Sequence, residues 1–155
     1  MTRSLTLRPA SIDDNKMLLE WRNDLDTRRS SYQSDLISIE THMVWLNERL
    51  ANPSGRLWIA EEKGVAVGTI RSDPVDSGWK LSWTVAPLHR RRSIGKIMLR
   101  AAVGLLDGVL LAEIRSDNVA SLRVAAAVGF EFNAQKDGMT FWSYQKRDKN
   151  ASRDP

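Results

Sequence analysis

The stretch Val85-Ala86-Pro87-Leu88-His89-Arg90-Arg91-Arg92-Ser93-Ile94-Gly95-Lys96 concentrates the chemistry of this sequence. A strand ends at Pro87, a basic loop follows, and a helix begins near Ser93. The first backbone N–H groups of a helix have no internal partner. Together with the macrodipole they form an anion site. Small residues at Ser93 and Gly95 would let a phosphate approach the main chain closely. Arg90, Arg91, Arg92 and Lys96 would surround it with positive charge. A pyrophosphate is the natural guest. Three consecutive arginines also read as a solvated turn or a nucleic-acid patch; their place between a strand end and a small-residue helix start favours the cradle.

The rest of the composition narrows the chemistry by exclusion. There is no cysteine, so disulfides, thiolate metal sites and cysteine nucleophiles are ruled out. The two histidines, His42 and His89, make a histidine-rich metal site improbable. The net charge of +4 would suit a nucleic acid or a small polyanion, or simply an arginine-rich surface. No run approaches the roughly 20 apolar residues of a membrane helix. The chain starts on a strand-like segment with no apolar signal-peptide core, so the cytoplasm is the expected compartment. At 155 residues, 42% hydrophobic and 27% charged, the chain fits one globular domain.

The elements that must position the cradle are legible from periodicity and punctuation. Ser4 to Arg8 alternates as a strand ended by Pro9. Ser11 caps a helix with Asp13 and Asp14 in its first turn, and Leu18, Leu19 and Trp21 give it an apolar face. Thr27 to Ile37, polar and serine-rich, reads as a loop. A second helix starts at Ser38 or Thr41, carries Met43, Leu46 and Leu50 at helical spacing, and stops at Asn52-Pro53-Ser54-Gly55. Leu57 to Ala60, Val65 to Arg71 and Trp79 to Val85 are strands, with turns at Glu62-Lys63-Gly64 and Asp73 to Gly78. A long helix over Ser93 to Leu106 repeats Ile94, Ile97, Met98, Ala101, Ala102, Leu105 and Leu106 on one side. Leu110 to Ile114 is a continuous apolar run that suits a strand covered on both faces. Asn118 caps a helix over Val119 to Val128, stopped by Gly129. Phe130 to Phe132 and Thr140 to Gln145 are the last strands, joined at Lys136-Asp137-Gly138. Lys146 to Pro155 reads as a flexible charged tail, leaving residues 1–145 as the single domain. The order β-α-α-β-β-β-α-β-α-β-β predicts an α/β (α+β) fold. Its sheet is mixed, mostly antiparallel, of about seven strands, with helices on both faces.

Two motifs in this order resemble the GNAT superfamily of acyl-CoA N-acyltransferases. The family signature Arg/Gln-x-x-Gly-x-Gly/Ala, which opens the central helix, maps onto Arg90-Arg91-Arg92-Ser93-Ile94-Gly95, with Ser93 replacing the first glycine. Phosphate contact is expected to survive that replacement if Ser93 keeps a negative φ. A second segment, Asn-x-x-Ala/Ser followed after seven residues by Gly-Phe, matches Asn118, Ser121 and Gly129-Phe130. The resemblance covers about residues 4 to 145. It implies acetyl-CoA as co-substrate, with no metal, held by Arg90 to Lys96 together with Asn118 and Ser121. It also implies that Trp79–Val85 and Leu110–Arg115 splay apart like a V. Main-chain groups of Thr84 and Val85 would hold the pantetheine, and a backbone N–H near Trp83 would polarise the thioester carbonyl. The acceptor amine attacks directly, and Glu20 or Glu113 would take its proton, with His42 or a water relay as alternatives. The tyrosine that many relatives use to protonate the leaving thiolate falls at Ala125, so that role is vacant or passes to solvent or another hydroxyl.

The segments Trp21-Arg22-Asn23 and Ser38-Ile39-Glu40-Thr41-His42-Met43-Val44-Trp45 resemble one branch of the family. That branch holds nucleotide-amino-sugar acetyltransferases of the pseudaminic-acid type and ribosomal-protein alanine acetyltransferases. Arg22 and Asn23 would then bind the acceptor, and Thr27-Arg28-Arg29 leans towards an anionic small molecule. A protein N-terminal or lysine acetyltransferase and a non-catalytic acyl-CoA-binding module are the rival readings. Neither nucleic acid nor membrane is expected as a partner. The oligomeric state stays open, a homodimer included.

Overall fold

The computed structural model describes residues 4–146, so all of the expected tail but Lys146 lies outside the described residues. Strands β1 (Thr6–Pro9), β2 (Arg56–Glu62), β3 (Val65–Val75), β4 (Gly78–Val85), β5 (Val109–Arg115), β6 (Glu131–Lys136) and β7 (Met139–Gln145) form one sheet. Their spatial order is β1-β2-β3-β4-β5-β7-β6. The β4–β5 pair is parallel and every other pair is antiparallel. The helices are α1 (Asn15–Asn23), α2 (Leu25–Arg29), α3 (Ile39–Ala51), α4 (Ile94–Leu105) and α5 (Val119–Val128), with 3-10 turns at Ile12–Asp14 and Pro87–His89. The expected α/β class and element order are therefore present.

Local chemistry explains the turns. Lys63-Gly64 and Asp137-Gly138 both sit at positive φ, the two-residue hairpin geometry whose twist matches that of the flanking strands. Two expectations fail at element ends. β3 runs on to Val75, and Pro74 pairs with Trp79, so the wide turn expected over Asp73 to Gly78 contracts to Asp76-Ser77. Pro74 is tolerated because the β2 partnership has already ended at Ser72, which leaves β3 an edge there. The stretch expected as pure loop also begins with part of α2, whose cap is Asp24 accepting the Thr27 N–H. A five-residue helix is too short to show apolar periodicity.

One sheet face carries α4 and α5. Ile70, Leu81, Leu110, Ala112 and Ile114 pack there against Met98, Leu99, Ala102 and Ala125. The buried stripe of α4 includes Leu99 and Val103, whereas Leu105, expected inside, is 61% exposed. On the other face Ile59 packs with Leu18 and Trp21 of α1 and Leu46 of α3. Leu50, expected on that stripe, is exposed, and buried His42 takes a place on it. His42 Nδ1 lies 2.5 Å from Asn15 Oδ1, and its ring centroid is 5.2 Å from that of Trp45. Burial, with Arg22 nearby, pushes the imidazole pKa down. His42 is thus a buried neutral strut between α1 and α3. At the start of α1, the Ser11–Asp14 capping box is locked by Arg8, whose guanidinium donates two hydrogen bonds to Asp14 at 2.8 and 2.9 Å. That hydrogen bonding holds the Asp14 carboxyl below its ordinary range.

β5 departs from the expectation of burial on both faces. Leu110, Ala112 and Ile114 are buried, but Leu111 and Glu113 on the opposite face are only half-buried. The open face is the one on which the candidate site lies.

Candidate active site

β4 and β5 pair at Gly78–Val109, Trp79–Leu110, Lys80–Leu111 and Leu81–Ala112, and no further. Beyond that point β4 continues with β3 as far as Val85, and β5 continues with β7 as far as Arg115. The two strands are pinned together at one end and splayed at the other. Gly78 sets the pinned end, because a Cβ there would lie 1.7 Å from the Val109 carbonyl oxygen. From Ser82 to Val85 one edge of β4 has no strand partner, and it offers main-chain N–H and C=O groups to whatever enters the cleft. Trp83, expected near the thioester through its backbone, points its ring into the α4 side of the sheet.

The basic loop and the start of α4 stand beside this cleft. Ser93 has φ +61 and ψ 17, so the condition of a negative φ, on which phosphate contact is expected to survive the loss of glycine, is not met. Arg91 is also left-handed, at φ +62, while Arg92 between them is not. Such an alternation of hand gathers successive N–H groups around a concavity that suits an anion. It also accounts for glycine in the family signature at this position, since a Cβ is strained there. The first intrahelical bond runs from Ile97 to the Ser93 carbonyl at 3.3 Å. Among the described residues, the amides of Ile94, Gly95 and Lys96 have no main-chain acceptor. Gly95 serves differently from the expectation that its small size clears space for phosphate. A Cβ on it would approach Val124 at 3.2 Å and Val85 at 3.4 Å, so the missing side chain faces the core and lets α4 seat against α5 and β4.

The arginines diverge. Arg90 reaches back to α2, with Nη2 donating to Asp24 at 2.6 Å and to Thr27 Oγ1 at 3.2 Å, and Nη1 to Asp26 at 3.3 Å. Burial tends to raise the Asp24 pKa, but the Arg90 and Thr27 hydrogen bonds outweigh it and hold the carboxyl below its usual range. Arg92 pairs with Glu62 at 3.0 Å and approaches His89 Nδ1 at 2.8 Å. Arg91 is exposed and Lys96 half-buried. Asn118 caps α5 by accepting the Ser121 N–H at 3.2 Å, so both residues of that motif are engaged in holding the helix start.

The open face of the splay brings other residues together. Registers across the sheet place Arg71 of β3 beside Ser82 of β4, and Glu113 of β5 beside Phe141 of β7. Ser82 and Glu113 are the first residues of their strands past the last β4–β5 pair. Leu57, on the α1–α3 face, pairs with Arg71, which puts the whole row on that face. Glu113 accepts the Tyr32 hydroxyl at 2.5 Å and lies 3.8 Å from Lys80 Nζ. The Tyr32 ring is largely exposed, but its hydroxyl end is set against Glu113. Local burial and the Glu113 carboxylate push its pKa up to about 12, so it holds its proton at neutral pH. A recess of about 300 Å³ lined by Tyr32, Arg115, Met139 and Phe141 among others opens beside this pair.

Of the residues expected to act on the acceptor, Glu113 is at the cleft. Glu20 is exposed on α1 and makes no side-chain hydrogen bond among the described residues. Asn23 is committed elsewhere: its side-chain amide donates to the Ile37 carbonyl and accepts the Ile37 N–H, both at 2.9 Å, fastening the loop to α1. Arg22 donates to the Gln33 carbonyl at 2.6 Å through Nη2, while its Nη1 is buried without a partner. Ala125 carries no hydroxyl and is fully buried. Tyr32 and Arg71 were missed. Tyr32 lies in a stretch without periodicity, and Arg71 sits in a strand where only register reveals its neighbours. Among the described residues, no group of three or more acidic or histidine side chains could hold a metal ion, and no helix is long and apolar enough to cross a membrane.

Comparison with known proteins agrees with this geometry. Residues 4–131 match the family model described as an acetyltransferase (GNAT) domain. The yncA protein of Salmonella typhimurium, solved with acetyl-CoA, superposes with a TM-score of 0.73 at 22% identity over 97% of this chain and 98% of that one. The ribosomal-protein-alanine N-acetyltransferase of Brucella melitensis gives 0.75 at 24% identity over 91% and 99%. The spermidine N-acetyltransferase of Vibrio cholerae, solved with CoA and spermine, gives 0.78 at 12% identity over 90% and 92%. At these identities the likeness is one of fold. No curated protein matches the chain.

Proposed function

The chain belongs to the acetyltransferase (GNAT) domain family, and on that premise we propose that it transfers an acetyl group from acetyl-CoA to a primary amine by direct attack. The observation that carries this reading is the β4–β5 splay beside amides of α4 that lack main-chain acceptors. In it the diphosphate sits on the amides of Ser93 to Lys96, with Arg91, Arg92 and Lys96 supplying charge. The pantetheine extends along the unpartnered edge of β4 at Thr84 and Val85, and a backbone N–H near Trp83 polarises the thioester carbonyl. The amine nitrogen attacks that carbonyl carbon, the new C–N bond forms, and the C–S bond breaks to release CoA thiolate. Glu113 takes the proton the amine loses, directly or through water. Tyr32, which keeps its proton at neutral pH, is the hydroxyl closest to that base and stands in for the tyrosine missing at Ala125.

The acceptor in this reading is a small molecule such as a nucleotide-linked amino sugar, in keeping with the positive charge of Arg22 and of the Thr27-Arg28-Arg29 segment. The reaction takes place in the cytoplasm. A non-catalytic acyl-CoA-binding module is the second reading, favoured by the absence of a hydroxyl at Ala125. Thiol release from acetyl-CoA against a panel of amines separates the two. The enzyme reading predicts turnover that Glu113→Gln lowers by roughly 10²-fold with acetyl-CoA affinity unchanged. Tight acetyl-CoA binding without release against any amine would support the module instead.

A further inference from the structure

The row Arg71–Ser82–Glu113 crosses the apex of the splay, and its two ends carry opposite charge. Glu113 is already engaged by Tyr32 and Lys80. Arg71 is not comparably satisfied. Its Nε is buried without a hydrogen-bond partner, and the nearest carboxylate, Asp73, stands at 3.4 Å. Asp73 in turn pairs with Arg49 of α3, whose guanidinium also donates to the Ser72 carbonyl. Arg22, at the end of α1, spends one nitrogen on the Gln33 carbonyl and buries the other with no partner. Burial pushes the Arg71 pKa down, and the neighbouring charges of Arg49 and Arg22 push the same way, against the pull of Asp73. Arg49 and Arg71 therefore share one carboxylate, and Arg22 adds a third guanidinium whose charge bears on Arg71, on a face that opens at exposed Ser82. A partly buried cation that shares its counter-ion with a second guanidinium is under-compensated, and an arriving anion would complete the balance.

We propose that this corner is the acceptor's anion site, with Arg71 the residue that binds an oxyanion on the same molecule whose amine lies at Glu113. The inference rests on the transferase reading above and adds the chemical class of the acceptor: an amine that also carries a carboxylate or a phosphate. Polycationic amines are disfavoured by the same charges. Arg71 and Glu113 stand two strands apart, and since β4 and β5 are already parting at Ser82, their backbones are more than about 10 Å apart at ~4.8 Å per paired strand. The reach of both side chains shortens that span to a few bonds between amine and anion. Suitable probes are 5-aminopentanoate with its neutral amide, and 3-aminopropyl phosphate with 3-aminopropanol.

The experiment measures thiol release from saturating acetyl-CoA with each pair, for the native protein and for Arg71→Gln. The proposal expects the anionic member of at least one pair to be preferred about tenfold or more in kcat/KM, mainly through KM. Arg71→Gln erases that preference, leaves the neutral amines unchanged, and does not alter acetyl-CoA affinity. The pair showing the larger effect distinguishes carboxylate from phosphate. Equal use of charged and neutral members by the native protein would overturn the proposal, as would an equal proportional loss on both in Arg71→Gln. If none of the four is turned over, calorimetry in the presence of saturating CoA decides. Equal affinity of the two proteins for 5-aminopentanoate and 3-aminopropyl phosphate overturns the anion site, and weakened affinity in Arg71→Gln supports it. Failure of acetyl-CoA to bind the native protein would instead remove the transferase reading itself.

Discussion

Ser93 is the residue on which the proposed phosphate cradle turns. Its left-handed backbone brings the first amides of α4 into line, yet a side chain in that conformation costs about 1–2 kcal/mol. The signature glycine would remove the strain at the expense of greater freedom in the unfolded chain. Ser93→Gly is therefore expected to stabilise the protein by about 0.5–1 kcal/mol without weakening acetyl-CoA binding. Ser93→Val, branched at Cβ, is expected to lose about 1–2 kcal/mol and to misalign the amides. Chemical denaturation with calorimetry on each variant checks both halves. A stability gain in Ser93→Val would show that the turn is not left-handed in solution. Arg90 carries the opposite lesson. In the sequence it is one of three consecutive arginines, but Asp24, Asp26 and Thr27 bind it to α2, which ties the basic loop to that helix.

At the scale of elements, the punctuation of the chain was readable because each stop has a local cause. Gly64, Gly138 and Gly129 occupy left-handed positions, and Ser38 and Asn118 cap their helices as their residue types imply. What escaped was decided by neighbours distant in sequence. Gly95 is small because Val124 and Val85 press on it, and Asn23 is held by Ile37. The row that joins Arg71 to Glu113 exists only through the β3–β4 and β4–β5 registers. His42, which also offered itself as a base, is a buried link between α1 and α3, and it makes their packing pH-dependent. Its pKa is lowered in the folded protein, so the unfolded chain binds the extra proton first. Stability is then full above about pH 6.5 and falls as pH drops below that value towards the depressed folded pKa. Denaturant titrations at pH 7.5 and 5.5 should show a loss for the native protein that His42→Gln lacks. An identical loss in the variant would assign the effect to other groups. Asp14 and Asp24, with their lowered pKa values, act only in the more acidic range below about pH 4.

Over the whole molecule, the sheet works as a hinge-less clamp. β4 and β5 are held at Gly78–Val109, each is drawn to a different neighbour beyond Leu81–Ala112, and α4 delivers its amides at the open end. The central claim is that these amides, together with the free edge of β4, are what acetyl-CoA grips. Hydrogen exchange resolved by residue, with and without saturating CoA, tests it most directly, because amides without acceptors exchange fast until a ligand covers them. The account predicts slowing by about tenfold or more at Ile94, Gly95 and Lys96 and along Ser82–Val85, with little change in α3 or β6. Saturation by CoA that left those amides exchanging as fast as before would contradict it.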